Sequence, residues 1–302
     1  MKIELYNRHG PVETVEGLTA VTVGVFDGVH RGHQTLITQL GDNGLVVTLT
    51  AHPSFVLGRK ESEYWLDDPK EHLELLFEAG ARYVAVLPFT RDVAQMSACE
   101  MARWMYAELN MRSLLLGYDS RFGSKDKDDF GRLPELATEL GFTLQRGKPF
   151  TVDGEPISSS RIRQSLQEGR VEDTAALLGR NYSLDGTVQH GRGVGHTLGF
   201  PTANIDLAQT RKMLPHEGVY VVSVDCGERQ PVRGIANLGA APTFGVEKQL
   251  LEVHLMDYDG DLYGKHTTVE FLHRLRGIRR FDNSDELQQQ IQQDLKEARR
   301  WS

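Results

Sequence analysis

Two textures of apolar and polar positions divide the chain. Through its first part, apolar runs of strand length alternate with longer segments whose apolar positions recur at helical spacing. Val21, Val23 and Val25 are β-branched and suit a strand packed on both faces. A glycine turn and the start of a helix follow by Gln34. Residues 44–50 (GLVVTLT) form a second such run, and Ala51-His52-Pro53 turns away. Residues 69–80 open on Pro69, carry Leu73, Leu75, Leu76 and Phe77, and end on Gly80, which predicts an amphipathic helix. Residues 83–89 read as the next strand and 114–116 as a further one. Between them, 97–110 read as a helix with Ser97 and Glu100 in a capping box. Strands alternating with helices predict an α/β domain with a parallel sheet and helices on both faces. Ligands of such sheets sit at the carboxyl ends of the strands. His30, His33, the loop after Thr50 and the loop after Gly117 are therefore expected around one crevice.

The texture changes near Arg180, so two domains are expected, 1–180 and 181–302. Short β-rich runs broken by glycine occupy 183–189, 218–225, 232–238, 250–258 and 267–275. Val253 and Leu255 alternate cleanly and Val219 and Val221 more loosely, which predicts a small antiparallel barrel. Residues 284–301 close the chain as a capped helix with Leu287, Ile291, Leu295 and Ala298 on one face.

The 302 residues suffice for two domains with their own cores, and 39% hydrophobic residues with 30 glycines is an ordinary globular composition. A net charge of −8 argues against a general nucleic-acid or membrane-surface binder, so phosphate substrates would be met by local groups. Cys99 and Cys226 lie far apart without metal-ligand spacing and read as free thiols of a reducing compartment. The N-terminus lacks the apolar run of a signal peptide, and no stretch reaches membrane-span length, so a cytoplasmic protein is expected. The oligomeric state is not legible.

Candidate chemistry in the first part begins with His30-Arg31-Gly32-His33 at a helix start. Amides there point outward unpaired, the dipole favours an anion, and two histidines three apart share a face. A docked phosphate would meet all of these together. The string GVFDGVHRGHQ resembles the HxGH signature of nucleotidyltransferases, and in particular the N-terminal module of bacterial bifunctional riboflavin kinase/FAD synthetases. Residues 117–131 resemble the GxDFRFG substrate segment of that family, with Ser120 in place of an aromatic and Asp119, Arg121 and Phe122 retained. Residues 156–169 (PISSSRIRQSLQEG), which alone would read as a serine-capped helix, resemble its ISSTxIR motif with Ser160 for threonine. The resemblance implies a Rossmann-like domain that transfers AMP from ATP to FMN and releases pyrophosphate. It makes His30 and His33 the catalytic pair on the triphosphate, and places ATP also at Gly24, Phe26, Gly28 and Gly32 and the β and γ phosphates at Ser158, Ser159, Ser160, Arg161 and Arg163. Asp119, Arg121 and Phe122 would then meet the flavin.

In the second part, residues 191–199 (GRGVGHTLG) suit a flexible lid over phosphates, and FPTANI follows at once. Thr202 and Asn204 are alternate residues whose side chains share a face if extended, and both offer hard oxygen donors suited to Mg²⁺. LEVH puts Glu252 and His254 on one face of a strand, with Val253 and Leu255 on the other. GxVxHG, LGFPTAN, GVY, NxGxxPTF, LEVHLxDxxGDLYG and VEFLxxLR appear in order and resemble a riboflavin kinase domain over its full length. The resemblance implies a six-stranded barrel with a C-terminal helix. It makes Glu252 the base for the ribityl hydroxyl, and Thr202 and Asn204 the holders of MgATP. Gly191, Gly193, Gly195, Gly199 and Pro201 would line the ATP, and Arg276 and Phe281 the flavin. Two departures stand out: His196 where the lid usually has arginine or lysine, and Ile278 where an acidic residue usually follows LR.

Together these motifs predict a bifunctional enzyme acting on riboflavin, FMN and ATP. A monofunctional riboflavin kinase with an inactive first domain and a non-catalytic flavin-binding regulator are the alternatives. Intact His30, His33 and residues 158–163 weigh against the first, and intact Glu252, Thr202 and Asn204 against the second.

Overall fold

In the computed structural model, residues 3–15, 17, 19–49, 65–191, 195, 198–241 and 248–301 are described. The chain clusters into two compact units, Met1–Ser159 and Ser160–Ser302.

The first unit is built on a seven-stranded sheet ordered β2-β1-β5-β4-β3-β6-β7. Its strands are β1 (Glu4–Asn7), β2 (Gly10–Val12), β3 (Thr19–Val23), β4 (Gly44–Leu49), β5 (Tyr83–Leu87), β6 (Met111–Leu116) and β7 (Thr143–Arg146). From β3 to β7 all pairings are parallel. The parallel sheet expected is present, and β1 and β2 add an antiparallel hairpin at one edge that the apolar pattern did not announce. The cause is local: Arg8 and His9 alone join the two strands, too short a link for a parallel crossover.

Helices α1 (Arg31–Thr38), α2 (Pro69–Glu78), α3 (Arg91–Gln95), α4 (Ala98–Glu108) and α5 (Leu133–Leu140) cover both faces. Alternation along the strands explains their continuous apolar runs. Val21, Val23, Leu45 and Val47 pack with Met101 and Met105 of α4 and Leu136 of α5. Val46, Val84 and Leu115 point the other way, against Leu36 and Ile37 of α1 and Leu76 of α2. The capping box of α4 forms with both of its hydrogen bonds. β6 starts three residues before its predicted position, because Arg112 and Ser113 break the apolar run; Arg112 lies over the Tyr106 ring at 4.5 Å. A small hairpin of β8 (Thr151–Val152) and β9 (Glu155–Pro156) precedes α6 (Ser159–Gln167) and α7 (Val171–Leu178).

In the second unit, β10 (Tyr182–Gln189), β11 (Ala203–Asp206), β12 (Gly218–Asp225), β13 (Val232–Ala241), β14 (Lys248–Leu255) and β15 (His266–Arg276) close into an antiparallel barrel. Its order is β10-β11-β14-β13-β12-β15. β11, the FPTANI strand, completes the six that the longer β-rich runs leave short. α8 (Ser284–Arg300) packs Ile291, Leu295 and Ala298 on Val221, Ile235 and Met256. The division after Ser159 precedes the change of texture at residue 180, because the α6–α7 segment is bonded to the barrel. His216 N–H donates to Leu166 C=O (2.8 Å), and Arg274 Nη1 to Glu168 C=O (3.4 Å). Gly169 has positive φ, and a Cβ there would lie 2.8 Å from the Arg274 side chain. Cys99 and Cys226 are free, the latter buried. Among the described residues no helix is long and apolar enough to cross a membrane.

Candidate active sites

The order of the first sheet reverses at β3. The chain steps from β3 through β4 to β5 on one side, then returns to β6 and β7 on the other. Such a switch point opens a crevice beyond the strand ends. A cavity of about 220 Å³ lies there. Its walls come from residues 24–33 after β3, 117–120 after β6, Lys148 and Phe150 after β7, and Ile157, Ser158 and Ser159.

The loop between β3 and α1 is tightly wound. Phe26 (φ 53°), Gly28 (φ 83°) and Val29 (φ 34°) all take left-handed backbone, a cost that persists only when the surroundings hold it. Phe26 sits over Gly24, where a Cβ would come within 3.2 Å of its ring. The loop delivers His30 to the N-cap of α1, where its Nδ1 accepts the backbone N–H of His33 at 3.2 Å. Accepting that bond, Nδ1 carries no proton, and the neutral ring holds its proton on Nε2. The His30 and His33 rings stack with centroids 3.5 Å apart. Gly32 makes room for this: a Cβ there would stand 3.2 Å from His30 Cε1 and Nδ1. The cap uses the third amide of the helix, leaving those of Arg31 and Gly32 outside the intrahelical ladder for an anion. His33 is held well below the ordinary histidine value by burial, with the His30 and His72 rings adding to it. Its Nδ1 is buried without a hydrogen-bond partner.

Two further segments are tied to this loop through Asp27, a buried residue the sequence reading passed over. Its carboxylate accepts the Leu66 N–H at 2.8 Å. Its carbonyl accepts Ser159 Oγ–H at 2.9 Å, which fixes the first residue of α6 at the crevice. Ser160 follows exposed, with Arg161 and Arg163 half-buried on the same helix. Asp119 and Ser120 line the crevice, whereas Arg121 and Phe122 are not among its lining residues. Both of those pack on Phe130, at 5.8 Å and 5.6 Å. Lys148 is a cation at the crevice that no motif announced. The loop after Thr50 lies outside the described residues.

The second site is a cavity of about 330 Å³ on the face of the barrel that carries Glu252 and His254. Register builds its row of polar groups. Asn204 of β11 is paired with Glu252 of β14, and Glu252 with Asn237 of β13. Directly opposed residues share a face with Cβ atoms about 4.5–5.5 Å apart, so the three side chains stand side by side. Leu251, Val253 and Leu255 take the buried face. Asn237 was visible in sequence only as part of a motif; strand register is what brings it to Glu252. Thr202 and Gly195 line the same cavity with Phe200 and His254. Arg276, Ile278 and Phe281 form another part of its wall, and Leu287, Ile291 and Asp294 of α8 a third. The Arg276 guanidinium is turned to the Asp294 carboxylate through Nε (3.0 Å) and Nη2 (2.8 Å) and lies over Phe281 at 5.9 Å. Gly193 and His196 lie outside the described residues.

Among the described residues no cluster of three His, Cys, Asp or Glu side chains suits a metal ion. The oxygens of Thr202 and Asn204 are a sparser donor set, matched to a cation that keeps waters and shares phosphate ligands. Their surroundings fit this use. A Cβ at Gly191 would fall on the Asn204 amide, and one at Gly195 would stand 3.1 Å from Thr202 Oγ1. Bare backbone thus cradles both donors, as a metal-bound phosphate chain would need.

Comparison with known proteins agrees with both halves. A family model described as FAD synthetase matches residues 13–161, and one described as riboflavin kinase matches 178–302. The bifunctional riboflavin kinase/FMN adenylyltransferase of Escherichia coli K12 is 36% identical, covering 92% of this chain and 91% of that protein. Its namesake from Bacillus subtilis is 32% identical over 99% and 97%. A crystal structure described as a macrolide-efflux protein from Streptococcus pneumoniae superposes with a TM-score of 0.87 at 31% identity, covering 96% and 97%.

Proposed function

The chain belongs to the bifunctional riboflavin kinase/FMN adenylyltransferase family, and on that premise we propose which of its residues carry each reaction. The enzyme phosphorylates riboflavin to FMN with ATP and adenylates FMN to FAD with a second ATP, releasing pyrophosphate. It uses ATP with a divalent metal, which we take to be Mg²⁺. We assign the adenylyltransferase to residues 1–180 and the kinase to 181–302, and place the enzyme in the cytoplasm.

Adenylyl transfer is an in-line attack of the FMN phosphate on the α-phosphorus of ATP. It needs positioning and charge neutralisation more than proton transfer. The amides of Arg31 and Gly32, the Nε2–H of His30 and the ring of His33 receive the triphosphate of ATP. Gly24, Phe26 and Gly28 shape the loop beneath it. Ser158, Ser159 and Ser160 with Arg161 and Arg163 take the β and γ phosphates as pyrophosphate charge develops. Asp119 faces the flavin side of the crevice; Arg121 and Phe122, packed on Phe130, are assigned to the flavin by their motif and not by a place in the crevice wall. The observation carrying this assignment is the His30 cap, which turns the second ring nitrogen into a donor beside amides that the intrahelical ladder does not use.

In the kinase, Glu252 accepts the proton of the ribityl hydroxyl as that oxygen attacks the γ-phosphorus. Thr202 and Asn204 would hold the metal–nucleotide, under the backbone of Gly191 and Gly195, with Pro201 at the strand's entry; Gly193 and Gly199 are assigned to the ATP by their motif alone. A metal held by these residues would supply neutralisation of the phosphate charge. Arg276 and Phe281 contribute to the flavin wall. The row Asn204–Glu252–Asn237 supports this reading, because it sets the base beside the metal holder.

Separable loss of the two activities tests both assignments. Glu252→Ala should reduce riboflavin phosphorylation at least about 100-fold and keep adenylation of supplied FMN. The His30→Ala, His33→Ala double variant should do the reverse. Flavins separated by chromatography over time report both. If either folded variant lost both activities together, the division of labour would be wrong.

A further inference from the structure

The metal-holding segment of the barrel has a weak point that one side chain closes. β11 pairs with β14 from Ala203 onward, with Ala203 opposite Val253 as the last ladder pair on that side. Thr202 lies one residue beyond that pair, and the preceding Pro201 has no N–H to extend the ladder. Nothing in the sheet therefore fixes Thr202. His254, two residues past Glu252 on β14, reaches across instead. Its Nδ1 lies 2.8 Å from Pro201 C=O, and its ring meets Phe200 edge-on with centroids 5.8 Å apart. Phe200 N–H donates to Gly195 C=O at 2.8 Å, so the same segment also anchors the glycine backbone that covers Thr202.

We propose that His254 is a positioning residue of the kinase site. Its Nδ1–H bond to Pro201 replaces the missing ladder bond and holds Thr202, Phe200 and the Gly195 backbone bonded to it in place for the metal–nucleotide. A carbonyl only accepts, so the bond requires a proton on Nδ1, present in the neutral Nδ1–H tautomer and in the imidazolium alike. The proposal rests on the assignment of Thr202 to the metal–nucleotide.

The test uses the full-length enzyme and two substitutions. His254→Phe keeps a ring against Phe200 and deletes the donor. His254→Asn restores an N–H where Nδ1 stands. For His254→Phe, KM for MgATP in the kinase reaction should rise about three- to tenfold, the loss expected of one hydrogen bond. Its kcat should change less than about twofold, and riboflavin binding without nucleotide, read by flavin fluorescence, should be unchanged. His254→Asn should stay within about twofold of wild type throughout. A wild-type KM in His254→Phe, an Asn variant as impaired as the Phe variant, or a parallel loss of riboflavin binding would each overturn the proposal. Thr202→Val is run alongside: if it leaves the MgATP KM unchanged, the underlying assignment of Thr202 fails, whatever His254 does.

Discussion

His33 shows what burial does to a phosphate-site histidine. Its ring is held neutral by desolvation first and by the neighbouring His30 and His72 rings second. The unfolded chain titrates this side chain near ~6.5, so below that pH the unfolded state binds a proton the folded state refuses. Stability then rises with pH: the contribution is fully present above about pH 6.5 and is lost as the pH falls below it. Urea unfolding at pH 5 and pH 7.5 should show lower stability at the lower pH, a difference that His33→Gln reduces. An unchanged pH dependence in that variant would mean that the ring is not held neutral. The two histidines and the intervening glycine were legible in sequence as a helix start. The cap was not, because which nitrogen His30 uses depends on φ and ψ at one residue. Asp27 was missed for a similar reason: its partners, Leu66 and Ser159, are 39 and 132 residues away.

Among the elements, α8 does more than its apolar stripe predicts. Leu287, Ile291, Leu295 and Ala298 were readable as a face, and most of them pack as expected. Asp294 interrupts that face and is 2% exposed. It receives Arg276 from the end of β15 and, at 2.8 Å, the amide of Gln290. Removing one partner of a buried pair strands the other charge. Asp294→Ala should therefore destabilise the barrel unit by about 3–5 kcal/mol and weaken riboflavin binding, because the Arg276–Phe281 wall loses its anchor. Denaturant unfolding and fluorescence titration check the two effects, and a variant as stable as wild type would leave the pair without structural weight. Element by element, strong apolar periodicity made β4, α2 and α4 legible to within two residues. The hairpin β1–β2 and the short strands β7 and β11 were not, because three or four residues carry too little pattern to outweigh their turns.

The whole molecule is acidic, with a net charge of −8, yet it binds nucleotides. Attraction is left to helix amides, local cations and the metal, all acting within a Debye length of about 8–10 Å, while the distant field is repulsive. Raising the salt from 20 to 200 mM should accordingly lower kcat/KM for ATP less than about threefold in either reaction, since screening weakens the repulsion along with the local attraction. A drop of tenfold or more in initial-rate assays would reveal a long-range attractive field that the charge count does not. The two sheets also differ in a way that bears on misassembly. A closed barrel has no strand with an unmatched backbone edge, whereas the open sheet ends in β2 and β7. β2 is three residues long and holds Pro11, which offers no N–H to a foreign strand. β7 is four residues long, and its last side chain, Arg146, folds back onto the carbonyls of Gly117 and Tyr118. Edge-to-edge aggregation of the folded protein therefore finds little template until the first sheet opens.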